Sequence, residues 1–299
     1  MNPPLTVGLP VYNGAEFLAE TIDSIVDQSF GDFELIVADN ASTDGSLDIA
    51  HQAAATDRRV RVLPATVNRG SAWNWNRTVH EATGDMFRWA CHDDLLRPRN
   101  LEVCVLTMRG APAEVVLVYP RTELIDERGR VIGSYHDVCD LRQRRPHERF
   151  QVVVRDLHLI NPIFGVHRTE ALRSTRLMGG FGRADTVLMG EIALRGQVWE
   201  VPERLFRRRI HSAMSMELHG SGEDLDAFYD TANTGSSLRL PFARVLRGHL
   251  AAIAAAPVST VERLRCVWTL GRWRYRRRLL RETGRAVAEA GRRVTAKAA

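Results

Sequence analysis

The sequence predicts an α/β fold in which a mixed, mainly parallel sheet is flanked by helices. Three apolar runs of strand length, LTVGLPV, FELIVA and MFRWAC, each end in a polar cluster, and a helix-like stretch follows each cluster. The clusters are Tyr12–Gly14, Asp39–Asn40 and His92–Asp94. Strands that alternate with helices indicate βαβ units, and ligands bind outside the carboxyl ends of such strands. We therefore expect the three clusters to line one opening at the edge of the sheet, the mouth. Its carboxylates, amides and aromatic ring suit a nucleotide and a divalent cation.

The first half of the chain carries the clearest element signals. Apolar residues recur at helical spacing from 15 to 28, which predicts an amphipathic helix. We expect Ser42 or Asp44 to cap the second helix, and Gly84 to end the third in the left-handed conformation. The predicted elements are strand 5–11, helix 15–28, strand 33–38, helix 46–55, strand 60–63, helix 72–82 and strand 86–90.

The pattern loosens in the second half. Pro98 is expected to open a helix, and Asp126–Gly129 to form a hairpin turn after the buried strand 115–119. The polar stretch 140–150 is interpreted as a surface loop or a helix start. Further predicted elements are a short strand at 161–167, a helix at 185–195, a strand over RLFRRRI and basic helices from 242 onward.

The chain divides into two predicted parts. A Ser/Gly-rich gap at 219–222 and Pro241 indicate the exit from the core, so we predict one domain over 1–218 and a helical, basic extension over 219–299. Residues 242–299 contain 14 Arg or Lys and three Glu, a net charge of +11, whereas the whole chain carries +5. The basic character therefore belongs to the extension and not to the part with the polar clusters.

The composition excludes several classes of protein. Apolar and charged contents of 44% and 26% are ordinary for a globular protein. No apolar run reaches the roughly 18 residues of a membrane span, and no secretory signal is visible, so a cytoplasmic location is expected. The cysteines show no metal-ligand or disulfide spacing and are interpreted as reduced thiols; they are Cys91, Cys104, Cys139 and Cys266.

Four blocks of sequence carry a resemblance to a known family. They are PVYNGAEFLAETIDSIVDQSFGDFELIVADNASTDGS at 10–46, NRGSAWNWNRTVHEATGD at 68–85, CHDDLLRP at 91–98 and ADTVLMGEIALRG at 184–196. In this order they resemble the family-two glycosyltransferases, which are inverting enzymes of GT-A fold that use nucleotide-sugars. The resemblance implies a nucleotide-sugar donor, a divalent cation (Mg²⁺ or Mn²⁺) and transfer to an acceptor hydroxyl, as in cell-envelope or other glycan biosynthesis. The acceptor would be a glycan, a lipid-linked compound or a small molecule.

The first block implies residues that bind the nucleotide base. Pro10 and Tyr12 lie where the family contacts the nucleotide, and a tyrosine ring can stack on a base for roughly 1–3 kcal/mol. Asp39 resembles the carboxylate that accepts a hydrogen bond from the base edge. The alternatives are a Tyr12 ring packed on the following helix and an Asp39 that caps one.

The second block implies contacts further along the donor. Asn68 and Arg69 lie in the loop that the family places near the nucleotide, and a planar guanidinium suits diphosphate oxygens. Asn76 matches a family asparagine, with a helix-surface amide as the alternative. Three arginines at 207–209 alternate sides on a predicted strand, so only some of them can face the diphosphate.

The third block departs from the family's Asp-x-Asp metal motif. Cys91 occupies the first acidic position, and a thiol is a poor ligand for a hard cation. Asp93 occupies the last position and is the expected metal ligand, since Mg²⁺ and Mn²⁺ bind through one or two carboxylates. His92 and Asp94 are expected to contact the nucleotide-sugar donor. His211, after the arginine-rich strand, is a second expected metal ligand. The alternative is that the two acids cap the helix after Pro98.

The fourth block implies the general base. Asp185 lies just ahead of a helix where the family carries an acidic pair, and Ala184 replaces the first acid of that pair. Inverting transfer needs a carboxylate that removes the acceptor proton. Glu191 is the next candidate, and a helix N-cap is the alternative role for Asp185.

Three other functions compete with this interpretation. A nucleotidyltransferase that acts on sugar phosphates would carry a Gly-rich, basic loop after the first strand, but that loop here is acidic at Glu16. A protein that binds membranes or nucleic acid would explain the extension and none of the acidic loops. A Rossmann dehydrogenase is disfavoured because GxGxxG is missing.

The extension interleaves aromatic residues with arginines, and we expect it to contact an anionic membrane surface on the inner face of the cell membrane. The alternative is packing on the catalytic domain or on a second subunit of a homodimer. A nucleic-acid partner is not expected.

Overall fold

The computed structural model describes residues 3–211, 228–231 and 241–273. The strands are β1 (Leu5–Val11), β2 (Phe33–Asp39), β3 (Val60–Pro64), β4 (Met86–Trp89), β5 (Leu95–Leu96), β6 (Val115–Ile125), β7 (Val131–Tyr135), β8 (Val166–Arg168) and β9 (Gln197–Arg209). The α-helices are α1 (Ala15–Val26), α2 (Ser46–Thr56), α3 (Ser71–His80), α4 (Asn100–Gly110), α5 (Pro146–Asp156), α6 (Thr169–Arg173), α7 (Ala184–Arg195), α8 (Pro241–Ala255) and α9 (Thr260–Trp273).

One mixed sheet organises the described residues. Its order is β3-β2-β1-β4-β8-β6-β9-β5, and β7 pairs with β6. β1 is parallel to both β2 and β4, while β8 runs antiparallel to β4 and β6. The predicted α/β class with a parallel half is therefore confirmed. Because β1, β2 and β4 point the same way, the polar clusters that follow them meet at one edge of the sheet.

Helices cover both faces of the sheet around β1, β2 and β4, and the residues of these three strands are therefore almost all buried. All seven residues of β1 are buried. Side chains of α1, α2 and α4 share one apolar core with β1 and β2, and side chains of α3, α5, α6 and α7 form the other. The sheet is thus held rigidly beneath the mouth.

Gly84 does not end α3 as expected. The helix stops at His80, and Glu81 follows it in the right-handed conformation. Gly84 instead lies against β1, where a Cβ atom would approach the backbone nitrogen of Thr6 to 2.8 Å. The glycine is required by close packing of two backbones and not by a helix terminus.

The second half contains two further corrections. The stretch 161–167, expected to be a strand, begins as a 3₁₀ turn at Asn161–Phe164, and only β8 follows as a strand. The helix expected to open at Pro98 begins at Asn100, after the unpredicted strand β5. Pro162 explains the first error, because proline lacks the N–H that a central strand donates.

The two C-terminal helices pack on the rest of the protein. Apolar residues of α8 and α9 form a third core with α5 and α7; its buried members are Phe150, Val154, Leu194, Ile253, Ala256, Cys266 and Leu270. The expected boundary at 218–219 lies outside the described residues. In the described part of the chain, no helix combines the length and apolarity needed to cross a bilayer.

Candidate active site

The loop after β1 is tied to the loop after β2. Ser42 Oγ accepts the N–H of Asn13 at 3.0 Å, and Asp44 Oδ2 accepts the first N–H of α1 at 3.0 Å. Gly45 is the residue that precedes α2 as its N-cap, in place of the expected Ser42 or Asp44. Asp44 still accepts the N–H of Ser46 at 3.0 Å, so it supports both helices.

Asp39 is the last residue of β2, and only one of its two carboxylate oxygens has a hydrogen-bond partner among the described residues. The side chain is 1% exposed, and Oδ2 accepts the N–H of Ser42 at 3.1 Å. Oδ1 is buried and has no hydrogen-bond partner in the described part of the chain. A buried oxygen without a partner is costly, and an N–H of a ligand would satisfy it. Pro10 is buried in β1, and Tyr12, which is 41% exposed, follows Val11, the residue that pairs with Asp39 in the sheet.

Asn40 connects the loop after β2 to the loop after β3. Its Nδ2 donates to Asn68 Oδ1 at 2.9 Å, and its Oδ1 accepts the N–H of Arg69 at 3.1 Å. Gly70 follows with φ of +87°, and a Cβ there would lie 2.6 Å from the carbonyl oxygen of Tyr229. Sequence analysis assigned no role to Asn40. Its position directly after Asp39 at a strand end was the available signal.

Arg69 and Asn76 line a cavity of about 410 Å³ beside α3. The Arg69 guanidinium lies 4.9 Å from the ring centroid of Trp73. The Asn76 amide donates to the carbonyl of Met178 at 2.9 Å and accepts its N–H at 2.8 Å. Asn76 therefore holds the segment that leads to α7. A contact between Asn76 and the nucleotide-sugar donor stays a prediction.

Three side chains at the end of β4 could share a cation. The ligand atoms of Cys91, Asp93 and Asp94 all lie within 4.8 Å of one another. Asp93 Oδ2 is 3.0 Å from His211 Nε2, so the two expected metal ligands meet. Asp93 Oδ1 is buried without a partner among the described residues. His92 packs on the loop after β1, where a Cβ at Gly14 would lie 2.4 Å from its ring.

The electrostatics of this cluster favour oxygen ligation. Burial acts most strongly and raises the pKa of Asp93, but the hydrogen bond with His211, the nearby charge of His92 and a hydrogen bond with Cys91 together outweigh it and hold that pKa below its usual range. Burial and the neighbouring Asp93 raise the pKa of Asp94, and burial raises that of Cys91, which stays a neutral thiol. An ionised Asp93 with an unpaired oxygen fits a hard divalent cation, and a neutral thiol does not.

Arg209 fixes the turn that carries the two acids. Its N–H donates to Asp94 Oδ1 at 2.9 Å, and its Nε donates to the carbonyl of Asp93 at 2.8 Å. The guanidinium is buried, pairs with Glu20 at 2.6 Å and lies 4.5 Å from the ring centroid of Phe17. α1 and β9 therefore hold the turn from two sides.

Asp185 lies in the first turn of α7. The N-cap residue is Arg183 in the left-handed conformation, so Asp185 is not the cap. Its Oδ1 accepts the N–H of Thr186 at 2.7 Å, and burial raises its pKa. Glu191, the other acid considered, is 1% exposed and paired with Arg176 at 2.5 Å. These contacts leave Asp185 as the acid of α7 with exposure to a substrate.

Comparison with known proteins identifies the relatives of this chain. A model of the family described as glycosyl transferase family 2 matches residues 6–163, which is more than half of the chain. EpsE of Bacillus subtilis, named as a glycosyltransferase, is 42% identical over 101 residues, 33% of this chain and 36% of that protein. TuaG of the same species, named for teichuronic acid biosynthesis, is 33% identical over 100 residues, 33% of this chain and 40% of that protein. These matches thus span about two fifths or less of the curated relatives' length.

Solved structures show the same fold at low identity. TarS (residues 1–349) of S. aureus, solved with UDP-GlcNAc, gives a TM-score of 0.65 at 16% identity and covers 89% of this chain and 71% of that one. The mannosyltransferase PcManGT of Pyrobaculum calidifontis, solved with GDP-Man and Mn²⁺, gives 0.52 at 20% identity and covers 96% and 81%. The predicted GT-A fold is confirmed by the likeness to TarS.

Proposed function

The chain belongs to glycosyl transferase family 2, and from this premise we propose that it moves a sugar from a nucleotide-diphosphate sugar to an acceptor hydroxyl with inversion. One observation carries the proposal. Asp39 at the end of β2 and Asp93 at the end of β4 each hold a buried carboxylate oxygen without a protein partner in the described chain. β2 and β4 are both parallel to β1, so these two residues follow strands that end at the same edge of the sheet, which suits a nucleotide base and a cation-bound diphosphate.

In this proposal the donor lies across the ends of β1, β2 and β3. The Tyr12 ring stacks on the base, and Asp39 Oδ1 accepts an N–H from the base edge. The loop at Asn68 and Arg69, which Asn40 holds in place, faces the diphosphate. Two structural neighbours were solved with UDP-GlcNAc and with GDP-Man, which are donors of this chemical class.

Asp93 would hold a divalent cation, Mn²⁺ or Mg²⁺, with Asp94 and His211 beside it. When bound, the cation supplies positive charge that stabilises the leaving diphosphate. The hydrogen bond between His211 and Asp93 holds one carboxylate oxygen, and the second oxygen, which has no partner among the described residues, would be available to the cation. Arg209 holds both acids in place, because its Nε donates to the carbonyl of Asp93 and its N–H donates to the side chain of Asp94.

Asp185 would act on the acceptor. Its carboxylate removes the proton of the acceptor hydroxyl as that oxygen bonds to the anomeric carbon. The bond from the anomeric carbon to the diphosphate breaks, and the diphosphate leaves with the electron pair. Because attack and departure occur on opposite faces, the anomeric configuration inverts.

The test is thermal unfolding with nucleotide-sugars, with and without Mn²⁺, in the wild type and in Asp93→Ala. A bound donor stabilises by mass action, so one donor should raise the Tm of the wild type in Mn²⁺. Asp93→Ala should keep the Tm of the free protein and lose the Mn²⁺-dependent part of the shift. A shift by nucleoside triphosphates alone would favour a nucleotidyltransferase, and an undiminished shift in Asp93→Ala would refute the metal assignment.

We also propose peripheral attachment to an anionic membrane through the C-terminal region. Val261, Leu264 and Trp268 are 57%, 65% and 59% exposed and follow one another at helical spacing on α9. The opposite side of the helix, with Cys266 and Leu270, is buried. An exposed apolar stripe on a helix with two apolar sides calls for a second partner.

Charge favours a lipid surface as the occupant of this stripe. Arg265 and Arg272 lie on the same helix, and the sequence continues with RYRRRLLR at 274–281, outside the described residues. Basic residues beside an apolar helix face bind anionic lipid. A lipid-linked acceptor, for which the sugar must reach the membrane surface, would make this attachment useful.

A further inference from the structure

The last three residues of β9 are arginines with different partners. Arg207 Nε lies 3.3 Å from Glu123 Oε2, and Arg209 Nη2 lies 2.6 Å from Glu20 Oε2. Arg208 makes no ion pair within 4 Å among the described residues. Its Nη1 donates to Asn161 Oδ1 at 2.6 Å. Among the described residues, the middle cation of the run therefore has no carboxylate within 4 Å, although it is half-buried, and Asp94, Asp137 and Asp185 interact with its charge only at longer range.

The alternation of a strand places Arg208 on the face of the sheet opposite its two neighbours. The next residue, Arg209, donates its N–H to Asp94 Oδ1 at 2.9 Å, so the end of β9 that carries Arg208 lies against the metal turn. Burial raises the pKa of Asp185, and the positive charge of Arg208 acts against that rise.

Asn161 orients Arg208. It is 2% exposed, and its Nδ2 lies 3.3 and 3.2 Å from the two carboxylate oxygens of Asp137. Thr122 Oγ1 also donates to Asp137, at 3.2 Å. Because the carboxylate accepts the Asn161 amide N–H, the amide oxygen must point to Arg208. The contact occupies one N–H of a guanidinium that has five.

We propose that Arg208 binds the diphosphate of the donor and stabilises it as the leaving group. The proposal rests on the glycosyltransferase function proposed above. A half-buried guanidinium that forms no salt bridge with a described residue is stabilised by an anionic ligand, and its fork matches phosphate oxygens. The diphosphate gains charge as the bond to the sugar breaks, so the contact strengthens in the transition state. Asn161 is a positioning residue that acts through Arg208.

Binding of nucleotides that differ by one phosphate tests the assignment. For the base that stabilises the wild type, UDP and UMP (or GDP and GMP) are titrated calorimetrically in Mn²⁺. Arg208→Gln should weaken diphosphate binding roughly 10- to 100-fold, as loss of a charge-assisted hydrogen bond does, and monophosphate binding less than about 3-fold. Arg204→Gln, an exposed arginine on the same strand, should change neither. Arg208→Lys should restore part of the diphosphate affinity.

A double-mutant cycle tests the role of Asn161. Asn161→Ala should weaken diphosphate binding in the wild type and add little in the Arg208→Gln background, because both changes remove one contact. Fully additive losses would refute the positioning role.

Three outcomes would overturn the role of Arg208: equal losses for the mono- and diphosphate, no loss for either, or a loss of turnover confined to phosphorylated acceptors. A wild type that binds no nucleoside diphosphate would instead refute the proposed function, so the two failures are distinguishable.

Discussion

At the scale of single residues, the contacts of Asp185 suit a group that alternates between two protonation states. One oxygen is held by the N–H of Thr186, and the carboxylate lies in the first turn of α7, where the helix dipole stabilises negative charge. Burial acts in the opposite direction and raises its pKa. A base with a raised pKa accepts a proton more readily than an ordinary aspartate does.

Replacing Asp185 with Asn keeps the size of the side chain and removes its basicity. We expect kcat to fall roughly 10²- to 10⁴-fold while donor affinity stays nearly unchanged. In the wild type, the base is active above its pKa and inactive below it, so activity should fall at acid pH through a value above that of a free aspartate. That acid limb should vanish in Asp185→Asn.

Two measurements check this assignment. Steady-state rates as a function of pH compare the variant with the wild type, and a variant that keeps near-wild-type turnover would place the base elsewhere. NMR of the product gives the anomeric configuration, and retention relative to the donor would contradict the inverting mechanism.

Most of the site residues that could be identified from the sequence follow a strand or open a helix in a motif, although Pro10 lies inside β1 and Asn76 inside α3. Asp39, Asp93 and Asp185 could be selected in this way, and the meeting of Asp93 with His211 agrees with their common assignment. Arg208 and its partner Asn161 could not be paired in advance. They are 47 positions apart in the chain, and their contact depends on the fold that brings β9 to the 3₁₀ turn.

At the scale of elements, the loops after β2 and β3 form one unit through Asn40. Its amide makes hydrogen bonds with Asn68, with the N–H of Arg69 and with the carbonyl of Gly70. Strands β1 to β4 were predicted to within one residue because buried parallel strands leave a continuous apolar run. The loop contacts were not predictable, because hydrogen bonds between side chains leave no periodic pattern.

Replacing Asn40 with Ala removes three hydrogen bonds and leaves the backbone N–H of Arg69 without a partner among the described residues, while the Gly70 carbonyl keeps the N–H of Asn74. We expect the free energy of unfolding to fall by roughly 1–3 kcal/mol and the donor to bind more weakly. Urea unfolding and donor titration measure the two effects. Gln52→Ala on the exposed side of α2 is the control, with a change within about 0.5 kcal/mol. Equal stability of Asn40→Ala and the control would mean that the loops hold their shape without Asn40.

At the scale of the whole molecule, α8 and α9 share a hydrophobic core with α5 and α7 and are not a separate appendage. They cover Phe150 of α5 and Leu194 of α7, so a truncation before α8 would expose apolar core. The basic character of this region was visible in the sequence. Its packing was not, because Val261 and Leu270 lie on two apolar sides of one helix and sequence alone does not tell which side is covered.

Point variants on α9 therefore test membrane attachment better than a truncation. The wild type should co-sediment with phosphatidylglycerol vesicles at low salt and much less with phosphatidylcholine vesicles, since each arginine near an anionic surface is worth about 1 kcal/mol. Leu264→Ser combined with Trp268→Ser should remove most of the binding. Leu106→Ser, a change at a leucine of α4 with 56% exposure, should not.

Two results would reject a lipid surface as the occupant of the stripe. One is a wild type that ignores anionic vesicles at low salt. The other is a dimer in solution that Leu264→Ser with Trp268→Ser converts to a monomer without a change in vesicle binding.

A donor that approaches the mouth meets less negative charge than the family's usual motifs would present. Cys91 places a neutral thiol where the resemblance implies an acid, and Ala184 places an uncharged methyl group where it implies a second acid beside Asp185. Nucleotide-sugars are dianions, so each missing carboxylate removes repulsion along the path of approach. Dissolved salt has correspondingly less repulsion to screen, and the rate of encounter depends less on ionic strength.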